Sequence, residues 1–115
     1  MPSYKITDYT YPTEGGLARL ILTYQGIEFE NVRFEKENAS EAEAAAPFGL
    51  LPILEEDGQL VAAGQALCPY LAIHLDLAGK NIKEQAMCGT IMSGLYEMFR
   101  NVRREYILSM PLEER

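Results

Sequence analysis

The chain has no tryptophan, one histidine and two cysteines among its 115 residues. Cys68 and Cys88 fit no metal or redox spacing and read as two reduced, packed thiols. His74 stands without a ligand set and reads as a solvated side chain, so no metal site is expected. No apolar run is long enough to cross a bilayer, and no N-terminal stretch has the build of a signal peptide. Basic residues are scarce: 10 Lys and Arg stand against 17 Asp and Glu, a formal net charge of −7. That balance argues against nucleic acid and against an anionic membrane as partners. Repeats and low-complexity linkers are missing too; the biased tract Glu41 to Ala46 is short and helix-prone. What remains, 48% hydrophobic and 23% charged residues, is an ordinary soluble composition with a modest core and the cytoplasm as the expected compartment.

The residues present organise around Pro47-Phe48-Gly49-Leu50-Leu51-Pro52-Ile53-Leu54-Glu55-Glu56-Asp57-Gly58. Pro47 ends the Ala-rich tract before it, because proline disfavours helical geometry in the preceding residue. Ile53-Leu54 is an apolar run closed by the turn signal Asp57-Gly58, which predicts a hairpin with a second strand over Gln59 to Ala62. Pro52 opens that strand and makes Leu51-Pro52 a candidate cis bond.

Tyr4 to Asp8 predicts a strand and Tyr9 to Gly16 a loop. Leu17, Leu20, Ile21 and Tyr24 predict a helix closed by Gly26. Ile27 to Phe34 predicts a second strand, Lys36 to Ala46 a loop and short helix, and Gln65 to Leu77 a helix ended by Gly79. From Ile82 to about Met110 a long helix is expected, stopped by Pro111. Its stripe, Ile82, Ala86, Met87, Ile91, Leu95, Met98, Val102 and Tyr106, is widened by Met92, Phe99 and Ile107. Pro69 is expected to perturb its helix. Asp8 and Glu14 read as solvated carboxylates, and Arg100, Arg103 and Arg104 as a solvated basic face. The fold class is α/β, a βαβαββα domain followed by one long α-helix.

The central segment resembles the "PFGxLPxLExDG" stretch of glutathione transferases. Tyr4-Lys5-Ile6-Thr7, Ala18-Arg19-Leu20, Gly26-Ile27-Glu28-Phe29, Val32-Arg33-Phe34 and Leu77-Ala78-Gly79-Lys80-Asn81 are similar to the sigma class, which includes haematopoietic-type prostaglandin D synthases and S-crystallins. The resemblance runs without gaps over residues 4 to 100. It implies a thioredoxin-like domain over 1–80 and, over 81–115, the first helix of a truncated C-terminal helical domain.

The resemblance also implies where glutathione would sit. The family tyrosine that supports the glutathione thiolate falls on Asp8, and the nearby arginine on Glu14. The Trp and Lys at the glycyl end fall on Ala39 and Glu43, and the basic or amide residue before the proline segment on Leu50. Leu51 and Pro52 keep the backbone of that segment. The Gln-Ser pair for the γ-glutamyl carboxylate falls on Ala63-Gly64, and the aspartate that reaches across the dimer on Glu97. An ionised carboxylate cannot donate to a thiolate, so catalysis by this set is expected to be impaired and glutathione binding weakened. The helix N-terminus after Gly64 still favours anions. Tyr9 or Tyr11 could substitute for the lost tyrosine if the loop shifted register. The expected function is therefore a binding or structural module. The alternatives are an active sigma-class-like transferase or isomerase relative, and a subunit of a larger assembly. Met87, Ile91, Leu95, Met98, Val102 and Tyr106 are the expected interface with a second copy or another subunit, over residues 82–110.

Overall fold

The computed structural model describes residues 2–114; the outer limits of the two expected segments, 1 and 115, lie outside the described residues. Alternation along Tyr4–Tyr9 makes β1, whose even positions Tyr4 and Ile6 meet one apolar cluster while Tyr9 meets a second. That two-residue period sends Asp8 and Tyr9 to opposite faces of the sheet. Helix α1 (Gly15–Tyr24) and β2 (Phe29–Phe34) complete a parallel crossover, with β2 paired along the full length of β1 from Tyr4–Phe29 to Tyr9–Phe34. A single 3₁₀ turn, Lys36–Asn38, precedes the short helix α2 (Ser40–Ala45). Ala46, before Pro47, is extended at ψ 146°, as a residue preceding proline should be.

Strands β3 (Ile53–Glu56) and β4 (Gln59–Ala63) form the expected hairpin. Asp57 at φ 51° and Gly58 at φ 81° are both left-handed, the conformation that Asp-Gly turns supply at low cost. The Leu51–Pro52 peptide is cis. The sheet order is β2-β1-β3-β4, with β3 antiparallel to both its neighbours. Helices α1 and α3 (Leu67–His74) cover one face, packing Ala18, Leu22, Leu67 and Leu71 on Tyr4, Ile6 and Leu54. The other face carries Tyr9, Tyr11, Ala39, Ala46, Leu51 and Ile53. The βαβαββα order with a following long helix, α4 (Ile82–Leu108), is the architecture expected.

Helix α3 differs from expectation at both ends. A 3₁₀ turn over Gly64–Ala66 precedes it, and Asp76 ends it by adopting φ 59°, three residues before Gly79. Leu77 N–H then bonds the Ala72 carbonyl at 2.7 Å, closing the helix end. The late start puts Pro69 inside the first turn, where no helical partner awaits its missing N–H. The Gln65 carbonyl four residues earlier accepts instead from the Tyr96 hydroxyl of α4, at 2.9 Å. His74 is not isolated: it stacks on Tyr70 and faces Glu56. Among the described residues no helix is long and apolar enough to cross a membrane.

Asn81 caps α4, its side chain accepting from the Glu84 N–H at 2.9 Å. The apolar stripe of α4 is divided. Cys88, Met92, Leu95, Tyr96, Phe99 and Ile107 are half-buried, whereas Met87, Ile91, Met98 and Val102 face outward, from 42% exposed at Val102 to 60% at Met87.

Candidate functional site

The end of β1 and the first turn of α1 form a closed polar knot on Asp8, which is completely buried. Its carboxylate accepts from the Tyr9 N–H at 2.7 Å, the Thr13 hydroxyl at 2.6 Å and Arg19 Nη1 at 2.9 Å. Thr13 Oγ1 in turn accepts from the Gly15 N–H at 3.0 Å, satisfying one of the free donors at the start of α1. A side chain at Gly15 would collide with this arrangement, since its Cβ would lie 2.3 Å from Asp8 Oδ2. The expectation of a solvated Asp8 is overturned: as an even-numbered β1 position it points under α1, where Arg19, one helical turn on from Gly15, reaches it. Its charge is paired with the Arg19 guanidinium.

Glu14 is likewise not solvated. Arg103 of α4 donates to it at 2.5 Å, and both side chains are largely buried. Arg103 therefore leaves the basic face to which its sequence neighbours Arg100 and Arg104 had assigned it; Arg100 remains outside, 3.5 Å from Glu97.

On the opposite sheet face, Tyr9, Tyr11, Ala39, Glu43, Leu51 and Ala63 come together. The Tyr9 hydroxyl donates to Glu43 and lies 3.5 Å from the Leu51 N–H, which points at it. Lys36 Nζ bonds the same Glu43 carboxylate at 2.8 Å and sits 5.4 Å from the centroid of the Tyr9 ring. The Lys36 ammonium first, and the Tyr9 hydroxyl second, hold Glu43 below the usual carboxylate range. Burial, followed by the Glu43 hydrogen bond, pushes the Tyr9 phenol well up. Burial likewise pushes Tyr11 up to about 12, so both remain neutral hydroxyls at physiological pH. The rings of Tyr9 and Tyr11 stack at 4.9 Å, and Tyr106 of α4 stacks on Tyr11 at 4.8 Å.

The remaining candidates are spread out. Leu50 is exposed, Glu97 lies outward on α4, and Gly64 takes φ 59° at the turn into α3, its N–H held by the Pro52 carbonyl at 2.9 Å. The β1–β2 pairing runs in register from Tyr4–Phe29 to Tyr9–Phe34, and Tyr9 reaches Leu51 from the sheet face opposite to Asp8. Lys36 and Thr13 escaped sequence reasoning because each acts through a partner, Glu43 or Asp8, whose direction depends on the sheet face. Among the described residues no group of three or more His, Cys, Asp or Glu side chains is placed to hold a metal ion.

No protein-family model matches the chain. It is 32% identical over 114 residues to a probable glutathione S-transferase 7 of Caenorhabditis elegans, covering 99% of this chain and 55% of that protein. It is 35% identical over 95 residues to the hematopoietic prostaglandin D synthase of Homo sapiens, covering 83% and 48%. The crystal structure of a C. elegans glutathione S-transferase superposes with a TM-score of 0.76 at 32% identity, over 95% of this chain and 53% of that one. The chain thus spans about half the length of the curated relatives it matches. With the four-stranded sheet and these likenesses in place, the chain is related to the glutathione S-transferases and shares their thioredoxin-like fold.

Proposed function

We propose that this chain is a glutathione-transferase-like domain with impaired conjugation chemistry, serving as a binding or structural module. The observation that carries the reading is the Asp8 knot. Transferase chemistry needs a group that favours the thiolate of a thiol whose free pKa is near ~8.5. At the position that the family resemblance assigns to that group stands a buried carboxylate whose hydrogen bonds are all spent inward on Tyr9, Thr13 and Arg19. The side chains left for the tripeptide's carboxylates are unhelpful: Ala39 and Ala63 carry no donor, and Glu43 is an anion. A positioned acid or donor typically contributes ~10²–10⁴-fold, so conjugation of a general electrophile at neutral pH is expected to run slower than an ordinary transferase by at least that margin.

A second reading, an active glutathione transferase or isomerase relative, is favoured by the names of the relatives, which are transferases and a prostaglandin D synthase. It has one structural support, the Tyr9 hydroxyl beside the Leu51 N–H. The variant Tyr9→Phe separates the two. It removes most of the turnover if Tyr9 supports the thiolate, and leaves the residual rate unchanged if the site is impaired.

The outward stripe of α4 supports the module half of the reading. Exposed apolar patches of this extent usually mark interfaces, and the expected partner is a second copy or another subunit. Ile91→Glu is the sharper probe than a change at Leu95, which is half-buried and would disturb the fold as well. Sedimentation is expected to show the unmutated chain as a dimer or larger and Ile91→Glu as a smaller folded species. A folded monomer before mutation would remove the association.

A further inference from the structure

The C-terminal third of α4 is tied to the β1–α1 loop by side chains. Arg103 reaches Glu14 across 89 residues of sequence. Tyr106, Tyr11 and Tyr9 form a column of rings, each about one stacking distance from the next, and Ile107 packs against the same cluster. At the foot of the column the Tyr9 hydroxyl occupies the outlook of the Leu51 N–H, at 3.5 Å. Leu51 itself is 1% exposed. Nearly three turns earlier in α4, the Tyr96–Gln65 bond holds the helix independently of the column.

We propose that this column is an intramolecular cap: Tyr106 and Arg103 press Tyr11 and Tyr9 over the Leu51 backbone and keep an extended, anionic thiol peptide of the glutathione type from pairing with it. The capping itself follows from the contacts, whereas the ligand class rests on the transferase-like reading above. An incoming anion competes with Glu14 for Arg103, so ligand binding and release of the helix end are coupled through one guanidinium. Because apparent affinity falls by the fraction of molecules that are open, a cap open about one tenth of the time would weaken binding about tenfold.

The test uses the full chain as wild type, Tyr106→Ala, the control Tyr106→Phe, and the charge-neutral pair Glu14→Gln with Arg103→Gln. Two quantities are read: amide hydrogen exchange at Leu51, and heat of binding in a titration with reduced glutathione. Tyr106→Ala and the paired variant are expected to retain their far-ultraviolet dichroism and to exchange the Leu51 amide about tenfold faster or more, and Tyr106→Ala, which keeps Arg103 for the anion, is expected to bind glutathione more tightly by a similar factor. Tyr106→Phe keeps the ring and is expected to match wild type. Faster exchange with no gain in glutathione heat supports the cap and overturns its assignment to a glutathione-type ligand. Unchanged Leu51 exchange in a folded Tyr106→Ala, or in the paired variant should Tyr106→Ala not fold, overturns the cap.

Discussion

Replacing Asp8 by tyrosine is expected to lower the melting temperature by about 10 °C or more and to restore no conjugation. Restoring the family residue would repair an active site whose only fault was one substitution. Here residue 8 is part of the fold itself. Asp8 is buried beneath α1 and holds Tyr9 N–H, Thr13 and Arg19. Tyrosine at that position removes the acceptor for all three and strands a guanidinium that is only 15% exposed. Breaking one side of a buried pair costs ~3–5 kcal/mol, a large share of the ~5–15 kcal/mol that holds a small domain folded. The phenol must also find room where the Cα of Gly15 already approaches the carboxylate. A thermal melt followed by dichroism checks the stability, and a conjugation assay on the same sample checks the activity. Wild-type stability together with new transferase turnover would mean that the knot is dispensable and the rest of the site intact.

The second large effect is expected from a single methyl group. Gly15→Ala should destabilise the protein by ~1–3 kcal/mol or more through overpacking, although alanine favours a helix by propensity. The added Cβ would sit 2.3 Å from Asp8 Oδ2, 3.0 Å from its Cγ and 3.1 Å from Thr13 Oγ1. None of these atoms can move cheaply, since both side chains are fixed by hydrogen bonds. The distinctive expectation is coupling. In an Asp8→Ala background the two closest contacts are gone and Thr13 loses the acceptor of its hydroxyl, so the further change Gly15→Ala should cost much less. Urea denaturation of the four proteins in that cycle measures the coupling. Additive costs would show that Gly15 is constrained by something other than Asp8.

These two effects mark where sequence reasoning stopped. The sheet was legible because alternation and turn residues act locally: Asp57-Gly58 needs no tertiary help to announce its hairpin, and Gly26, at φ 68°, caps α1 as glycine should. The C-terminus of α3 was misplaced because the same left-handed position is filled there by Asp76, a residue that visits that region less often. The long helix was legible from its stripe, but its two faces were not: which half of the stripe meets the domain depends on how the helix is docked. The site was legible as a set of substitutions and opaque as chemistry. Asp8 and Glu14 look alike in the sequence, two acids beside a turn. Their partners lie on two different helices, Arg19 within reach on α1 and Arg103 far along the chain on α4. Carboxylates become structural when buried beside a guanidinium, and burial of this kind is a property of the assembled layers.

Whether the Asp8 knot stands in place of thiolate chemistry is decided by a conjugation assay with reduced glutathione and a general aryl electrophile at neutral pH, run on wild type and Tyr9→Phe. Wild-type turnover is expected at least ~10²-fold below an ordinary transferase, with Tyr9→Phe indistinguishable from it. Turnover at ordinary transferase rates, abolished by Tyr9→Phe, would contradict the account and make Tyr9 the working hydroxyl.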